Sequence, residues 1–283
     1  MYITSGEHPV KELARYSELD WRFRDFTIDV PYFDDNLGNV SEDCTITPSG
    51  IDGEITLASS EDLFNAGMVG SAVRLTQDVD TATVSLDMSS GEAIETQTSA
   101  SVYVGDTWKI QTAGTWDGII DIERSFDNEN WKPFRKYTSQ NNGNYTESGT
   151  VTTKCYLRIS AKKYRNSDKN LKVDLMAMAY SHDGWATITD FTDARNVAAT
   201  VNDKLGTVNA TKKWALSSWS QSNGYPRTSA FFQDRLVFGG TKHQPYMVWM
   251  SRTGDYGNFG IEKAGGKLTD DSAVAVSLIS RKQ

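Results

Sequence analysis

The stretch YPRTSAFFQDRLVFGGTKHQPYMVWMSRTGDYGNF, Tyr225 to Phe259, decides how this 283-residue chain is read. It is dense in aromatic residues, arginine and glycine. Two short apolar runs, SAFF and RLVFGG, flank the polar pair Gln233-Asp234, which is the form of a β-hairpin. PYMVWMS follows as a third strand, and RTGDYGNF is rich in turn residues. Gly239 and Gly240 allow a bend or the close approach of another backbone. Strand, turn, strand, loop, strand and turn make a meander or one blade of a β-propeller.

Two uses of this stretch compete. One is a ligand or catalytic site at Arg235, Arg252, Asp255 and Tyr256. The other is scaffold, with Arg235 and Arg252 paired to acidic neighbours such as Asp234 and Asp255, and with Phe231, Leu236, Phe238 and Trp249 in the core. Scaffold is the expectation, because no nucleophile–base pattern is legible. Ser251 has no motif around it, and no G-x-S-x-G elbow occurs.

Outside this stretch the pattern is β throughout. Cys155, Leu157, Ile159 and Ala161 share one face of a run whose other face carries Lys154, Arg158 and Ser160. Leu171, Val173, Leu175 and Ala177 alternate with Lys172 and Asp174, Ile120 and Ile122 with Asp121 and Glu123, and Val84, Leu86 and Met88 with Ser85 and Asp87. Such alternation belongs to antiparallel sheets with one wet face. Gly91, Gly105, Gly114, Gly118 and the run SQNNGNYTESG at 139–149 punctuate it. Helix is scarce. One short turn is expected in SSEDLFNAGMVG, capped by Ser59 or Ser60 and stopped at Gly67. TDARNVAATVNDKLG fits a helical stripe or a strand, and its β-branched residues favour strand.

The expected fold class is therefore all-β: a β-sandwich insert at 51–182 and part of a propeller-like platform at 183–283, preceded by a leading arm at 1–50. The last strand pattern, Val274, Val276 and Leu278, comes close to the end of the sequence. An open sheet edge is expected there, as in a piece of something longer.

Composition excludes several functions. The net charge of -8 argues against a protein that coats nucleic acid, which needs clustered Lys and Arg. No apolar run of 18 residues is long enough to span a bilayer, so no membrane anchor is expected, and the N-terminus has no apolar core of a secretory signal. Cys44 and Cys155 are too few for a disulfide scaffold and are expected to be reduced. His8, His182 and His243 are scattered, no zinc spacing or EF-hand loop appears, and no cofactor or metal is expected. Ser125, Asp127 and Trp131 in RSFDNENWKPF resemble the Asp-box S-x-D-x-G-x-x-W, without its glycine and with the tryptophan one residue early. That box is a structural turn.

The segment 219–259 and the residues after it resemble a family. WSQSNGYPRTSAFFQDRLVFGG contributes Trp219-Ser220, Gly224-Tyr225-Pro226, Phe231 and Phe232, and Arg235-Leu236. Pro245, Trp249, Ser251-Arg252, Gly254-Asp255, Asn258-Phe259 and Thr269-Asp270-Asp271 continue the pattern. Together they resemble the tail tubular protein B, or tail nozzle, proteins of short-tailed bacteriophages and related prophages. HPVKELAR with Trp21, VPYF at 30–33, 56–75 and 115–131 are similar to further segments of that family. The resemblance implies a structural virion protein without catalysis. It implies a homo-oligomeric ring in the full-length protein, contacts with other tail proteins, and DNA passing through the channel without specific binding. It places the protein in the phage tail after synthesis in the bacterial cytoplasm. It also implies that this chain lacks an N-terminal portion and stops before a propeller closes. The alternative is a carbohydrate- or cell-surface-binding sandwich using Trp108, Trp116 or Trp131. A propeller-type glycoside hydrolase is a third class, disfavoured by the defective Asp-box.

Overall fold

A computed structural model describes residues 1–34, 37–38, 40–88, 96–139, 143–163, 170–261 and 269–278. The described chain is nearly all β, in antiparallel sheets, and the one short helical element is a 3-10 turn at Ala66–Met68. Asn65 caps it, its side chain accepting from the Gly67 amide, so neither Ser59 nor Ser60 is the cap. Gly91, residues 140–142 and the segment after Leu278 fall outside the described residues.

The chain divides into two compact units, Asp78–Ser181 and the combination of Met1–Gln77 with His182–Gln283. The first is a β-sandwich. One four-stranded sheet has the order Thr146–Thr150, Thr107–Gly114, Leu171–Ala177, Ala82–Met88. The other runs Lys132–Ser139, Gly118–Ser125, Cys155–Lys163, Gln97–Val104. Their facing sides share one core, in which Trp108, Ile110, Trp116, Ile120, Ile122, Cys155, Leu157 and Leu175 are fully buried. The apolar positions read from alternation are the ones that point inward, as period-2 geometry requires. At about 1.5–3 kcal/mol for each fully buried large side chain, this core holds the sandwich.

The sandwich is narrower than the 51–182 expected. Residues 51–77 lie in a seven-stranded sheet of the other unit, in the order Phe33–Asp34, Trp214–Ser217, Ala72–Val79, Tyr180–Asp193, Asn196–Asp203, Glu54–Ser59, Ile46–Pro48. Glu54–Ser59 pairs with Asn196–Asp203, across a long stretch of sequence that no local pattern connects. TDARNVAATVNDKLG supplies that partner, Asn196–Asp203, as the β-branched residues suggested. This sheet has its own core around Ile46, Leu57, Val73, Leu75, Val197 and Leu216. Cys44 and Cys155 are free thiols and both are buried.

The leading residues are more ordered than an arm. Tyr2–Ile3, Lys11–Arg15 and Trp21–Asp25 form a three-stranded meander. The stretch that opened the sequence reading forms the remaining sheet, a four-stranded antiparallel meander of Thr228–Phe232, Arg235–Gly239, Met247–Met250 and Val274–Ser277. Gln233 and Asp234 make its first turn with φ of 49° and 56°, the left-handed pair that a two-residue hairpin of type I′ demands.

Candidate functional site

Alternation along the meander gives its two faces different surroundings. Phe238, Trp249 and Ala275 lie abreast on one face by register, and Leu236 follows on the same face. That face is a core. Leu236, Phe238, Trp249 and Phe259 are buried with Trp219 and Val10. The Trp219 ring sits edge-on to Phe238 at 5.4 Å, to Trp249 at 5.5 Å and to Phe259 at 5.0 Å. Edge-to-face contacts at these separations add to the burial energy. The indole N–H groups of Trp219 and Trp249 have no hydrogen-bond partner among the described residues, so packing alone holds the cluster.

Arg235 is the second feature of this sheet. Only 7% of its surface is exposed. Its guanidinium donates to the carbonyl of Ser251 at 2.7 Å, to that of Ser272 at 2.6 Å and to that of Asp270. The expectation that Arg235 pairs with Asp234 or another carboxylate is thus replaced by a different contact. The rigid fork of an arginine serves several carbonyls at once, and here it ties one strand to the end of another and to the Thr269-Asp270-Asp271 turn. Ser251 completes the knot. Its hydroxyl accepts from the Leu236 amide at 3.0 Å and donates to the Arg252 carbonyl at 2.9 Å. With no exposure and both roles engaged, Ser251 is a structural hydroxyl.

Arg252 reaches the Asp271 carboxylate at 3.3 Å. Hydrogen bonding from Thr269, and then the Arg252 cation, hold the Asp271 carboxyl below its ordinary range. The loop after Arg252 is folded by backbone bonds. Gly254 donates to the Asp234 carbonyl at 2.8 Å, Asn258 donates to the carbonyl of Asp255 at 3.3 Å, and Arg252 donates to that of Asn258 at 2.9 Å. The Asp255 main chain closes the turn. Asn258 bridges to Val30, and Phe259 donates to the Val30 carbonyl at 2.8 Å, so the loop is also anchored to the leading segment. Tyr256 donates its hydroxyl to Asp234 at 2.7 Å, and that hydrogen bond raises its pKa.

Tyr225 and Pro226 make the junction to the first meander. Gly6 donates to the Pro226 carbonyl at 3.1 Å and Tyr225 to the Gly6 carbonyl at 2.9 Å. Burial raises the Tyr225 pKa. Gly240, at φ 59°, stands so close to the Pro245 carbonyl that an added Cβ would come within 3.0 Å of it.

The structure therefore brings Trp219, Leu236, Trp249 and Phe259 into one cluster, and Arg235, Ser251 and Asp270 into one knot with Arg252 and Asp271 beside it. It leaves Phe232 and Pro245 on the surface. Phe231, expected in the core, is 58% exposed. It lies at the sheet edge and is only half covered, by Tyr2 at 5.8 Å and Tyr256 at 5.2 Å. Val10, Gly6 and Ser272 are partners that sequence reasoning missed. Gly6 and Ser272 act through main-chain atoms, which leave no signal in residue identity.

In the sandwich, the Asp-box-like turn is a closed polar loop. Asp127 accepts from Ser125 Oγ at 2.7 Å, from the Glu129 amide at 2.9 Å, and from the Asn130 amide and side chain at 2.7 Å each. These donors, those of Asn130 foremost, hold the Asp127 carboxyl far below its ordinary range. Asn128, at φ 63°, takes a left-handed position in this turn. Of the three tryptophans considered for sugar binding, Trp108 and Trp116 have no exposed surface. Trp131 lies beneath the Arg158 guanidinium, 4.2 Å from its ring centre. No group of three or more His, Cys, Asp or Glu side chains among the described residues is placed to hold a metal ion. No helix among them is long and apolar enough to cross a membrane. No protein-family model and no curated protein matches the chain.

Proposed function

We propose that this chain is a structural component of a bacteriophage tail, of the nozzle or tail-tube type, through which DNA passes. The observation that carries the proposal is the use made of the motif residues. Arg235 and Ser251 spend their hydrogen bonds, and Trp219 and Trp249 their ring contacts, inside the protein, on a four-stranded meander of the kind that makes a propeller blade, with Asp270 contributing its main-chain carbonyl. A motif that is dense in functional-looking side chains but turned inward is what a scaffold repeated around a ring needs. The net charge of -8 suits a channel wall, since phosphates would slide past it and not be held. The work of such a protein is assembly: symmetric packing of β domains around an axis, without catalysis.

The alternative, a carbohydrate- or cell-surface-binding sandwich, loses its two best ring candidates to the core and retains Trp131 stacked on Arg158. The deciding experiment is genetic and structural. An in-frame deletion of the coding sequence from the phage or prophage genome that carries it is expected to give DNA-filled heads without the distal tail, which lose infectivity. Particles with complete tails and normal infectivity from that genome would refute the proposal.

A further inference from the structure

Beyond the buried Arg235 at its hairpin end, the second face of the four-stranded meander is mostly apolar and only partly covered among the described residues. By register Thr228, Gly239, Val248 and Val276 form one row across it, and Ala230, Val237, Met250 and Val274 form the next. Val274 and Val276 are 38% and 44% exposed. Soluble proteins rarely leave a contiguous apolar patch uncovered unless it binds something.

Two features mark the ends of this face. At one end is a groove of about 270 Å³, walled by Arg227, Gly240, Pro245, Tyr246, Val248 and Leu278. It is small beside the roughly 300–1,000 Å³ of ligand clefts. It is ample for one aromatic ring, since an apolar cavity of about 150 Å³ takes benzene. At the other end Phe232 projects from the hairpin tip on the same face, 56% exposed. Thr228 and Phe232 are four residues apart on one strand, so groove and knob stand about 13 Å apart. Charge is matched as well. The groove rim carries the cation of Arg227, and the turn beside Phe232 carries the exposed carboxylate of Asp234, one oxygen of which accepts from Tyr256.

We infer that the groove of one copy of this chain receives Phe232 of a second copy, with Asp234 of the incoming hairpin set against Arg227 at the rim. The molecule bears both a hydrophobic knob and its hole, and a surface patch complementary to another patch of the same molecule drives self-association. The apolar rows between them are covered by the same contact. Phe232 is the central anchor, a buried aromatic in a desolvated pocket, and the Arg227–Asp234 pair fixes orientation at the wet rim. The inference rests on the assembly reading for its biological setting and names the self-contact which that reading leaves unspecified.

The test uses the full chain. Copies carrying Gln233→Cys, beside an intact Phe232, are mixed with copies carrying Tyr246→Cys under mild oxidation; the native thiols Cys44 and Cys155 are buried and stay silent. A cross-linked dimer is expected in the mixture and not with either variant alone. In sedimentation velocity, Phe232→Ala is expected to raise the dissociation constant about 30-fold, the effect of an interface anchor worth about 2 kcal/mol. Because Phe232 is exposed, the melting temperature should not move. Leu278→Trp, which fills the groove from the other side, should weaken association comparably. The inference is overturned by a wild-type chain that sediments as a monomer up to its solubility limit. It is equally overturned by association that neither substitution weakens, or by cross-links no more frequent in the mixture than in the separate variants. In those cases the tail assignment still stands or falls separately, on the genome deletion.

Discussion

Arg235→Ala is the substitution that most directly tests the scaffold role of the motif. The wild-type guanidinium makes three hydrogen bonds to main-chain carbonyls, at Ser251, Ser272 and Asp270. Hydrogen bonds to a charged group contribute about 1.5–3 kcal/mol each, so the gross value is roughly 5–9 kcal/mol. Against this stands the desolvation of a cation that is 7% exposed, which amounts to several kcal/mol and is recovered on truncation. The carbonyls left behind remain poorly solvated, and the net loss is about 3–5 kcal/mol. For a unit of this size each kcal/mol lowers the melting temperature by about 2–4 °C, so a fall of about 10 °C is expected. Thermal unfolding followed by near-UV circular dichroism reads it through Trp219 and Trp249. The sandwich of Asp78–Ser181 serves as the internal standard, because its unfolding should not shift. Arg235→Lys should recover less than half of the loss, since an ammonium group lacks the fork that reaches several carbonyls. Arg252→Ala is the control. It removes a cation whose partner Asp271 is exposed, and screened pairs of that kind matter little. Equal shifts for Arg235→Ala and Arg252→Ala would show that burial and the three carbonyls do not distinguish the two arginines, and the reasoning would fail.

Gln233 occupies the left-handed region at φ 49°, which costs a side chain about 1–2 kcal/mol. Gln233→Gly relieves that strain, loses part of it to the entropy of the unfolded glycine, and should raise stability by about 1 kcal/mol in urea titration; a lower midpoint would mean the Gln233 side chain has a contact of its own. Asp127 has its pKa depressed in the folded state, so its contribution is present above the unfolded carboxyl pKa and is lost as pH falls through the folded value. The stability difference between wild type and Asp127→Asn should therefore narrow steadily from about pH 5 toward pH 2; a difference independent of pH would rule out the charged form as the hydrogen-bonded one. DNA should not be retained, given the net charge of -8, and filter binding at about 0.15 M salt should show no complex; a salt-resistant complex would exclude the channel-wall role.

Most of the sandwich was legible because its strands are half buried and their alternation reports which side faces the core. Leu157, Ile159, Leu171 and Val173 are all fully buried, as that pattern requires. The boundary at residue 51 was not legible. Glu54–Ser59 and Ala72–Val79 look like sandwich strands by period, yet they pair with segments well over a hundred positions later or share a sheet with them. Period specifies the face of a strand and carries no information about its neighbour. The same gap explains the leading meander, where Trp21–Asp25 alternates aromatic and arginine residues but is exposed along its whole length.

Phe231 and Phe232 show where pattern reading stops for the candidate site. They are adjacent, so they point to opposite faces of their strand, and a core position for one implies a surface position for the other. By sequence Phe231 belongs to the core and Phe232 to the motif alone. The structure buries neither fully: Phe231 reaches the core face at its edge, and Phe232 stands 56% exposed on the opposite face. An edge strand has a neighbour on one side only, so a residue on its core face is less covered than Phe238 one strand inward or Trp249 two strands inward. Leaving two adjacent phenylalanines more than half exposed at a hairpin tip forgoes roughly half of the 1.5–3 kcal/mol that full burial of each contributes. A chain that buries Trp108, Trp116 and Trp249 completely has no general difficulty covering aromatic rings. Phe232 at the tip, and the groove at the other end of the same face, are the two features that the self-contact inferred above would join.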